Sequence, residues 1–320
     1  MPTYAHQDTP CAQARKSPPL KGDEGGCASA ATRYASNYAP FQHFAYLSLT
    51  IICLSLPAHA TDYKPNVLDP RYAHTKYGPS RGDLVQEFEA FTASMDGNDD
   101  DNGDGSVDVW GIPEWVAYEI KGLPIPPRKG PGRPSPWITD KALYRDRVAP
   151  NDDSYRNSGY DRGHMCQKLI AFRLGEDADW NSHTVLNAAP QLHEFNDGIW
   201  GDLEDLTAGW ADEFGQVWVI CGPVFDNKKP SKWIGDGNEV RVAVPDAFFK
   251  IVIRERGKSI EVLAFLYPHE NLGTRRPYNH RPYLASVDAI ETKTGLDFLG
   301  RLPGAEEKRI ESKAAAALWP

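Results

Sequence analysis

Six apolar side chains, Phe195, Ile199, Leu203, Leu206, Trp210 and Phe214, recur at steps of four, four, three, four and four. That spacing lines one face of a helix packed on a core, and Gly215 is its natural stop. Further along, the pattern shortens. Residues 217–221, 240–244, 248–253 and 260–266 are runs rich in β-branched and aromatic side chains, which predicts four strands. Gly222-Pro223, Gly235-Asp236-Gly237, Pro245-Asp246 and Arg256-Gly257 supply the turns between them. Upstream, residues 112–120 alternate and predict another strand. Leu84, Phe88 and Phe91, with Asp83 near the start, share one helical face and predict a short helix over 83–91. Residues 62–82 read as an extended entry segment. Helices are expected to begin near 282–286 and to cover 305–318. No internal repeat and no long linker follow residue 62, so residues 61–320 are expected to form one α+β domain.

The first sixty residues follow different rules. Residues 1–40 are rich in Pro, Ser, Ala and Gly without periodicity and are expected to be disordered or removed. An apolar core at 44–56 then ends in Ala58-His59-Ala60. That is the pattern of a secretory signal cut after Ala60, which predicts a secreted or periplasmic protein with no membrane contact after cleavage. The competing reading is a buried strand or helix. No lysine or arginine sits immediately before the apolar core.

Charge changes the picture only when read locally. The chain carries 44 acidic against 35 basic residues, a formal charge of −9, which argues mildly against a nucleic-acid partner. Residues 121–173, however, hold eleven basic and five acidic residues, a net +6, and such a band attracts phosphates. Residues 96–108 are strongly acidic. Asp100, Asn102, Asp104, Ser106 and Asp108 fall at positions one, three, five, seven and nine of a calcium loop, with Gly105 at the turn. Gly111 stands where the loop's bidentate glutamate is expected, and Glu114 comes three residues later, so structural Ca2+ and a solvated acidic loop both stay open. Cys166 and Cys221 remain after signal removal, to be paired or separate.

The densest chemistry lies at Tyr160-Asp161-Arg162-Gly163-His164-Met165. Hydrolysis of a phosphodiester needs a base for water, positive charge for the phosphorus oxygens and help for the leaving oxygen. A histidine, an arginine and Mg2+ supply these three. Gly163 reads as a hinge beneath His164, with Asp161 or a nearby carbonyl orienting the imidazole. Alone, the motif equally describes a turn with a surface salt bridge. Asn196, Trp200 and Glu204 add a second cluster at steps of four along the predicted helix. On an ideal helix Asn196 and Glu204 stand about 12 Å apart, so one would bind a metal directly and the other through water. Asn196 as a simple helix cap is the alternative. His183 and His193 show no standard ligand spacing, and His269 and His280 have no recognisable partner.

Asp161-Arg162-Gly163-His164-Met165, Asn187-Ala188-Ala189-Pro190-Gln191 and Asn196-Asp197-Gly198-Ile199-Trp200, followed by Glu204, closely resemble the DNA/RNA non-specific endonucleases, a family that includes endonuclease G-like enzymes. Cys221-Gly222-Pro223-Val224 resembles the family's central strand, and Arg133 with Trp137 and Asp140 its upstream arginine segment. The likeness runs from about residue 115 to 298. It implies an α+β fold with a central, mostly antiparallel sheet, flanking helices and a ββα-metal finger at the active site. It also implies an Mg2+- or Mn2+-dependent endonuclease acting on DNA and RNA, with a weak homodimer left open. By position, His164 would be the general base, Asn196 the direct metal ligand and Glu204 the holder of a metal-bound water. Arg162 and Arg133 would neutralise the phosphate, and Asn187 would support the site or touch substrate. Cys166-Gln167-Lys168 departs from the proline and small residues that often follow the motif. Two other readings are a decayed, calcium-stabilised nucleic-acid-binding protein and a phosphodiesterase for a non-polymeric substrate.

Overall fold

The computed structural model describes residues 61–79, 81–97, 108–273 and 276–320. Its strands are β1 (Leu84–Glu87), β2 (Thr92–Met95), β3 (Pro113–Lys121), β4 (Asp161–His164), β5 (Ala188–Gln191), β6 (Gln216–Val224), β7 (Lys232–Ile234), β8 (Val242–Val244), β9 (Ala247–Arg256), β10 (Ser259–Pro268) and β11 (Leu284–Ala285). Seven of them form one sheet in the order β1-β2-β3-β6-β9-β10-β11, with every neighbouring pair antiparallel. The pairs β4–β5 and β7–β8 stand apart as two-stranded ribbons. The helices are α1 (Lys141–Arg145), α2 (Lys168–Ala171), α3 (Glu176–Ser182), α4 (His193–Phe195), α5 (Gly201–Phe214), α6 (Val287–Thr294) and α7 (Gly304–Glu311).

The three central strands are buried on both faces, and side-chain alternation divides their residues cleanly. Val116, Tyr118, Val219, Cys221, Phe248 and Val252 point into a core shared with β5, α2, α3 and α5. Trp115, Ala117, Trp218, Ile220, Phe249 and Ile251 point the other way, into a core closed by α6 and Phe298. Helices thus cover both faces, and the first face carries the β4–β5 ribbon.

Three expectations are corrected here. Residues 83–91 form β1 and a turn, not a helix: Phe88 N donates to Phe91 O (2.7 Å), and β1 pairs with β2 in register from Leu84 to Met95. Three apolar residues at helical spacing are outweighed by a ladder in which β2 has partners on both sides. The last helix stops at Glu311 rather than 318, because Trp319 folds back edge-on against Trp210 (5.2 Å) and Phe214 (5.9 Å) of α5. Gly163 is no hinge; it lies in extended β4, and a Cβ there would stand 2.0 Å from Gln191 Oε1. The bare backbone lets the buried Gln191 side chain cross the ribbon.

The helix expected near 282–286 begins at Val287, capped by Ser286, whose side chain accepts from Ala289 N (3.2 Å). Pro223 sits in β6 just past Cys221, the last residue of β6 paired with β3, so its missing N–H breaks no ladder there. Cys166 and Cys221 are both free and buried. The signal stretch lies outside the described residues, as do Asp100, Asn102, Asp104 and Ser106 of the acidic loop. Asp96, at the near end of that loop, is buried and accepts from Trp110 N (2.6 Å). No described helix is long and apolar enough to cross a membrane.

Gly163→Ala is expected to cost about 1–3 kcal/mol through overpacking, read as a lowered denaturant midpoint. Pairing it with Gln191→Ala should recover part of that loss. A single variant as stable as the parent would show that the ribbon tolerates a Cβ.

Candidate active site

β4 pairs with β5 from Asp161–Gln191 to His164–Ala188. The chain then enters α4, passes through a π-helical turn at Asn196–Trp200 and continues as α5. Gly198 leaves helical dihedrals inside that turn (φ −92°, ψ −117°). The ideal-helix separation of Asn196 and Glu204 therefore does not apply. Ile199, Leu203 and Trp210 nonetheless keep their buried stripe, while Leu206 falls outside it at 36% exposure. Two strands and a kinked helix make a ββα unit.

The helix is tied to β4 at two points. Asn196 Nδ2 donates to Asp161 Oδ2 (3.1 Å), and Trp200 Nε1 donates to the His164 carbonyl (3.2 Å). Asp161 thus orients Asn196, not His164. With its nitrogen engaged there, the amide presents its carbonyl oxygen elsewhere. The same Asp161 oxygen lies 2.9 Å from Nδ1 of exposed His193, whose pKa it raises. The entry to α4 is fixed from outside the unit: Leu192 N donates to His269 Nε2 (2.8 Å), while His269 Nδ1 donates to Pro245 O (2.8 Å).

His164 sits at the other end of β4, between Trp137 (ring centroids 4.7 Å) and the edge of His183 (5.0 Å). Burial, followed by the charges of His183, Lys168 and Arg133, holds its pKa well below the usual histidine range. The imidazole is accordingly neutral, the form that accepts a proton. Its Nε2 is buried without a hydrogen-bond partner. Arg133 is itself exposed, and its charge bears on both His164 and His183. Trp137 N donates to Asp152 Oδ1 (3.2 Å), and Asp140 caps α1 by accepting from Ala142 N and Leu143 N.

Arg162 shares the His164 face of the strand. Its Nε lies 2.7 Å from Asp152 Oδ1 and its Nη2 donates to Asp152 O (3.0 Å). The guanidinium stacks 5.5 Å over Tyr155. Asn187 is fully buried. It accepts from Cys166 N (2.8 Å) and donates to Cys166 O and Ser182 O (2.9 Å each), so it holds the chain beyond His164 and leaves no group for substrate. Buried His183 donates from Nδ1 to Asp179 O (2.9 Å), and His280 bridges Tyr267 and Asp202. Arg276 pairs with Asp205 (2.6 Å) and Arg281 donates to Ala316 O (3.2 Å); Arg275 lies outside the described residues.

Sequence reasoning missed Lys250. It is fully buried in β9, on the face shared with Phe248 and Val252, with Nζ 4.0 Å over the Trp200 ring and 3.7 Å from Glu204 Oε1. A lysine inside Phe248-Phe249-Lys250-Ile251 was the available signal, since a buried ammonium needs a partner. Lys168, beside the histidines, was seen only as a departure from the family pattern.

The donor set suits a hard divalent cation. Asn196 offers a neutral oxygen on a fixed side chain, and Glu204 Oε1 is buried without a hydrogen-bond partner, a fitting acceptor for a metal-bound water.

A family model described as DNA/RNA non-specific endonuclease matches residues 104–305. The chain is 28% identical over 217 residues to Nuclease 1, mitochondrial, of Schizosaccharomyces pombe, covering 64% of this chain and 66% of that protein. It is 31% identical over 167 residues to Endonuclease G, mitochondrial, of Bos taurus, covering 50% and 54%. With the Nuclease of Serratia marcescens it shares 30% identity over 210 residues, covering 62% and 73%. The chain therefore spans less than two thirds of the length of the mitochondrial relatives it matches. Its fold is similar to a chain in the crystal structure of the EndoG/EndoGI complex, with a TM-score of 0.58 at 22% identity, covering 73% of this chain and 92% of that one.

Burial pushes the Glu204 carboxyl from 4.5 up to about 7, with Lys250 acting against the shift. In metal-free buffer the folded chain therefore keeps a proton that the unfolded chain has lost. The resulting stability is full below pH 4.5 and disappears as the pH rises through about 7. Glu204→Gln is expected to flatten that part of the curve when denaturant midpoints are measured against pH in EDTA. An unaltered slope would assign the proton to another group.

Proposed function

The chain belongs to the DNA/RNA non-specific endonucleases, and from that premise we propose that it is a Mg2+-dependent endonuclease, able to use Mn2+, that hydrolyses phosphodiester bonds in both DNA and RNA. The observation that carries this reading is the ββα unit. One four-residue strand bears the neutral, buried His164 and is bonded at both ends to the helix carrying Asn196 and Glu204. Relatives named as nucleases and as Endonuclease G support the same reaction class.

In this reading His164 accepts the proton of the attacking water through its unpartnered Nε2. Trp137 and His183 pack the ring on two sides and keep it neutral by excluding solvent. Asn196 would hold the cation directly, and Glu204 would hold it through a bound water. When present, Mg2+ supplies Lewis-acid stabilisation of the phosphate and of the leaving oxygen. Lys250 holds Glu204 against Trp200 and favours its charged form. Arg133, exposed beside the imidazole, meets the scissile phosphate. Arg162 spends two nitrogens on Asp152 and keeps Nη1 for a phosphate oxygen, so its contribution is partly to hold Asp152 and, through it, Trp137. The net +6 of residues 121–173 provides the sequence-independent attraction that a sugar-non-specific enzyme needs.

Digestion of plasmid DNA and of structured RNA, each with Mg2+ or with EDTA, tests the reading. Both polymers should be cut only with the metal, and His164→Ala should slow cutting by about 10²–10⁴-fold. Asn196→Ala should raise the Mg2+ concentration needed for half-maximal rate. Undiminished cleavage by the His164 variant would remove the base assignment, and cleavage in EDTA would remove the metal.

A further inference from the structure

On the other face of the sheet, three carboxylates converge at the junction of α6 and α7. One oxygen each of Asp288, Glu291 and Glu311 lies within 4.8 Å of the others. Asp288 and Glu291 are one helical turn apart on α6, and Glu311 is the last residue of α7. We propose that these three residues form a calcium site that clips α7 onto α6.

Glu311 is the observation that points to a ligand. It is only 7% exposed, and its Oε1 is buried with no hydrogen-bond partner. The charges acting on it are those of Glu291, Glu307, Asp288 and Asp297, all negative. None of the three cluster residues pairs with a lysine, arginine or histidine among the described residues. A carboxylate removed from water among other carboxylates is unfavourable unless a proton or a cation compensates it. Glu291 is already oriented, because its Oε1 accepts from Phe298 N (2.8 Å).

The ligand set favours calcium over magnesium. Three carboxylates exceed the one or two by which magnesium, which keeps several of its waters, is usually held. Calcium also accepts an irregular shell completed by water, which suits a site with one exposed, one half-buried and one buried ligand. The consequence reaches the catalytic helix. Beyond α7 the chain passes to the first face of the sheet, where Trp319 packs on Trp210 and Phe214 of α5 and under the Arg254 guanidinium (4.5 Å). A clip at Glu311 anchors that segment.

The test compares the full chain with Glu311→Gln, Asp288→Asn and Asp104→Ala, the last removing a central carboxylate of the acidic 96–108 loop. Melting temperatures are recorded in EDTA, in CaCl2 and in MgCl2, and calcium is titrated calorimetrically. In EDTA the Glu311→Gln variant should melt at or above the parent, because repulsion is relieved. In calcium the order should reverse, with the parent and Asp104→Ala gaining several degrees and the Glu311 and Asp288 variants not. The Glu311 variant should also bind one calcium fewer than the parent. An equal calcium shift in parent and Glu311→Gln, or no shift in the parent, would overturn the site in favour of a shared proton. Loss of the shift in Asp104→Ala alone would assign the calcium to the loop, and an equally large magnesium shift that Glu311→Gln lacks would overturn the choice of ion.

Discussion

Two hydrogen bonds between β4 and the helix after β5 set the geometry on which the rest of the site depends. Asp161 takes the Asn196 amide at one end of the strand, and the His164 carbonyl takes the Trp200 indole at the other. Each bond is worth only about 0.5–3 kcal/mol in stability. Their importance is positional, since they fix the strand that carries His164 against the helix that carries Asn196 and Glu204. The helix accommodates this by leaving its regular path. Its π turn spans Asn196 to Trp200, the two residues that make the bonds, and Gly198 absorbs the departure between them. Gly163 plays the matching part in the strand, where Gln191 crosses without a Cβ in its way.

Beneath this unit lies a charge that the fold buries at some cost. Alternation along β9 sends Phe248, Lys250 and Val252 toward the ββα unit and leaves Phe249 and Ile251 in the opposite core. Lys250 cannot snorkel from the middle of a seven-stranded sheet. It has the Trp200 ring face at 4.0 Å and the Glu204 carboxylate at 3.7 Å. Buried pairs seldom add stability beyond what an apolar pair would give, whereas removing one partner leaves the other stranded. Trp200 therefore joins two tasks: its indole nitrogen holds β4, and its ring face holds the lysine that steadies Glu204. The strand, the helix and the central sheet are connected through that one side chain.

Much of this was legible in the chain, and the remainder was hidden for physical reasons. The strands at 113–121, 216–224 and 247–268 announce themselves because central strands need β-branched and aromatic residues on both faces. His164, Asn196 and Glu204 were read as a set through the family resemblance, whose motifs fall on β4, β5 and the helix that follows. The β1–β2 hairpin was not, since short edge elements owe their form to neighbours rather than to their own period. Of the two orienters the sequence left open for His164, Asp161 is excluded because a strand turns the two residues to opposite faces. Lys250 escaped because it lies 46 positions from Glu204 in sequence, and only the packing of α5 on the sheet brings them together.

The same separation of faces reconciles an acidic chain with a phosphate-binding role. A charge of −9 would repel a polyanion if it were spread evenly. It is not: the charges of Arg133 and Lys168 bear on His164, whereas Asp288, Glu291, Glu307 and Glu311 gather where α6 closes the opposite core. The two groups lie on opposite faces of the sheet. The chain itself crosses between those faces. Ile310 of α7 packs with the α6 core, while Leu318 and Trp319 pack with the core beneath α5. Whatever steadies α7 steadies the cover of α5, and it does so from the face of the sheet opposite His164.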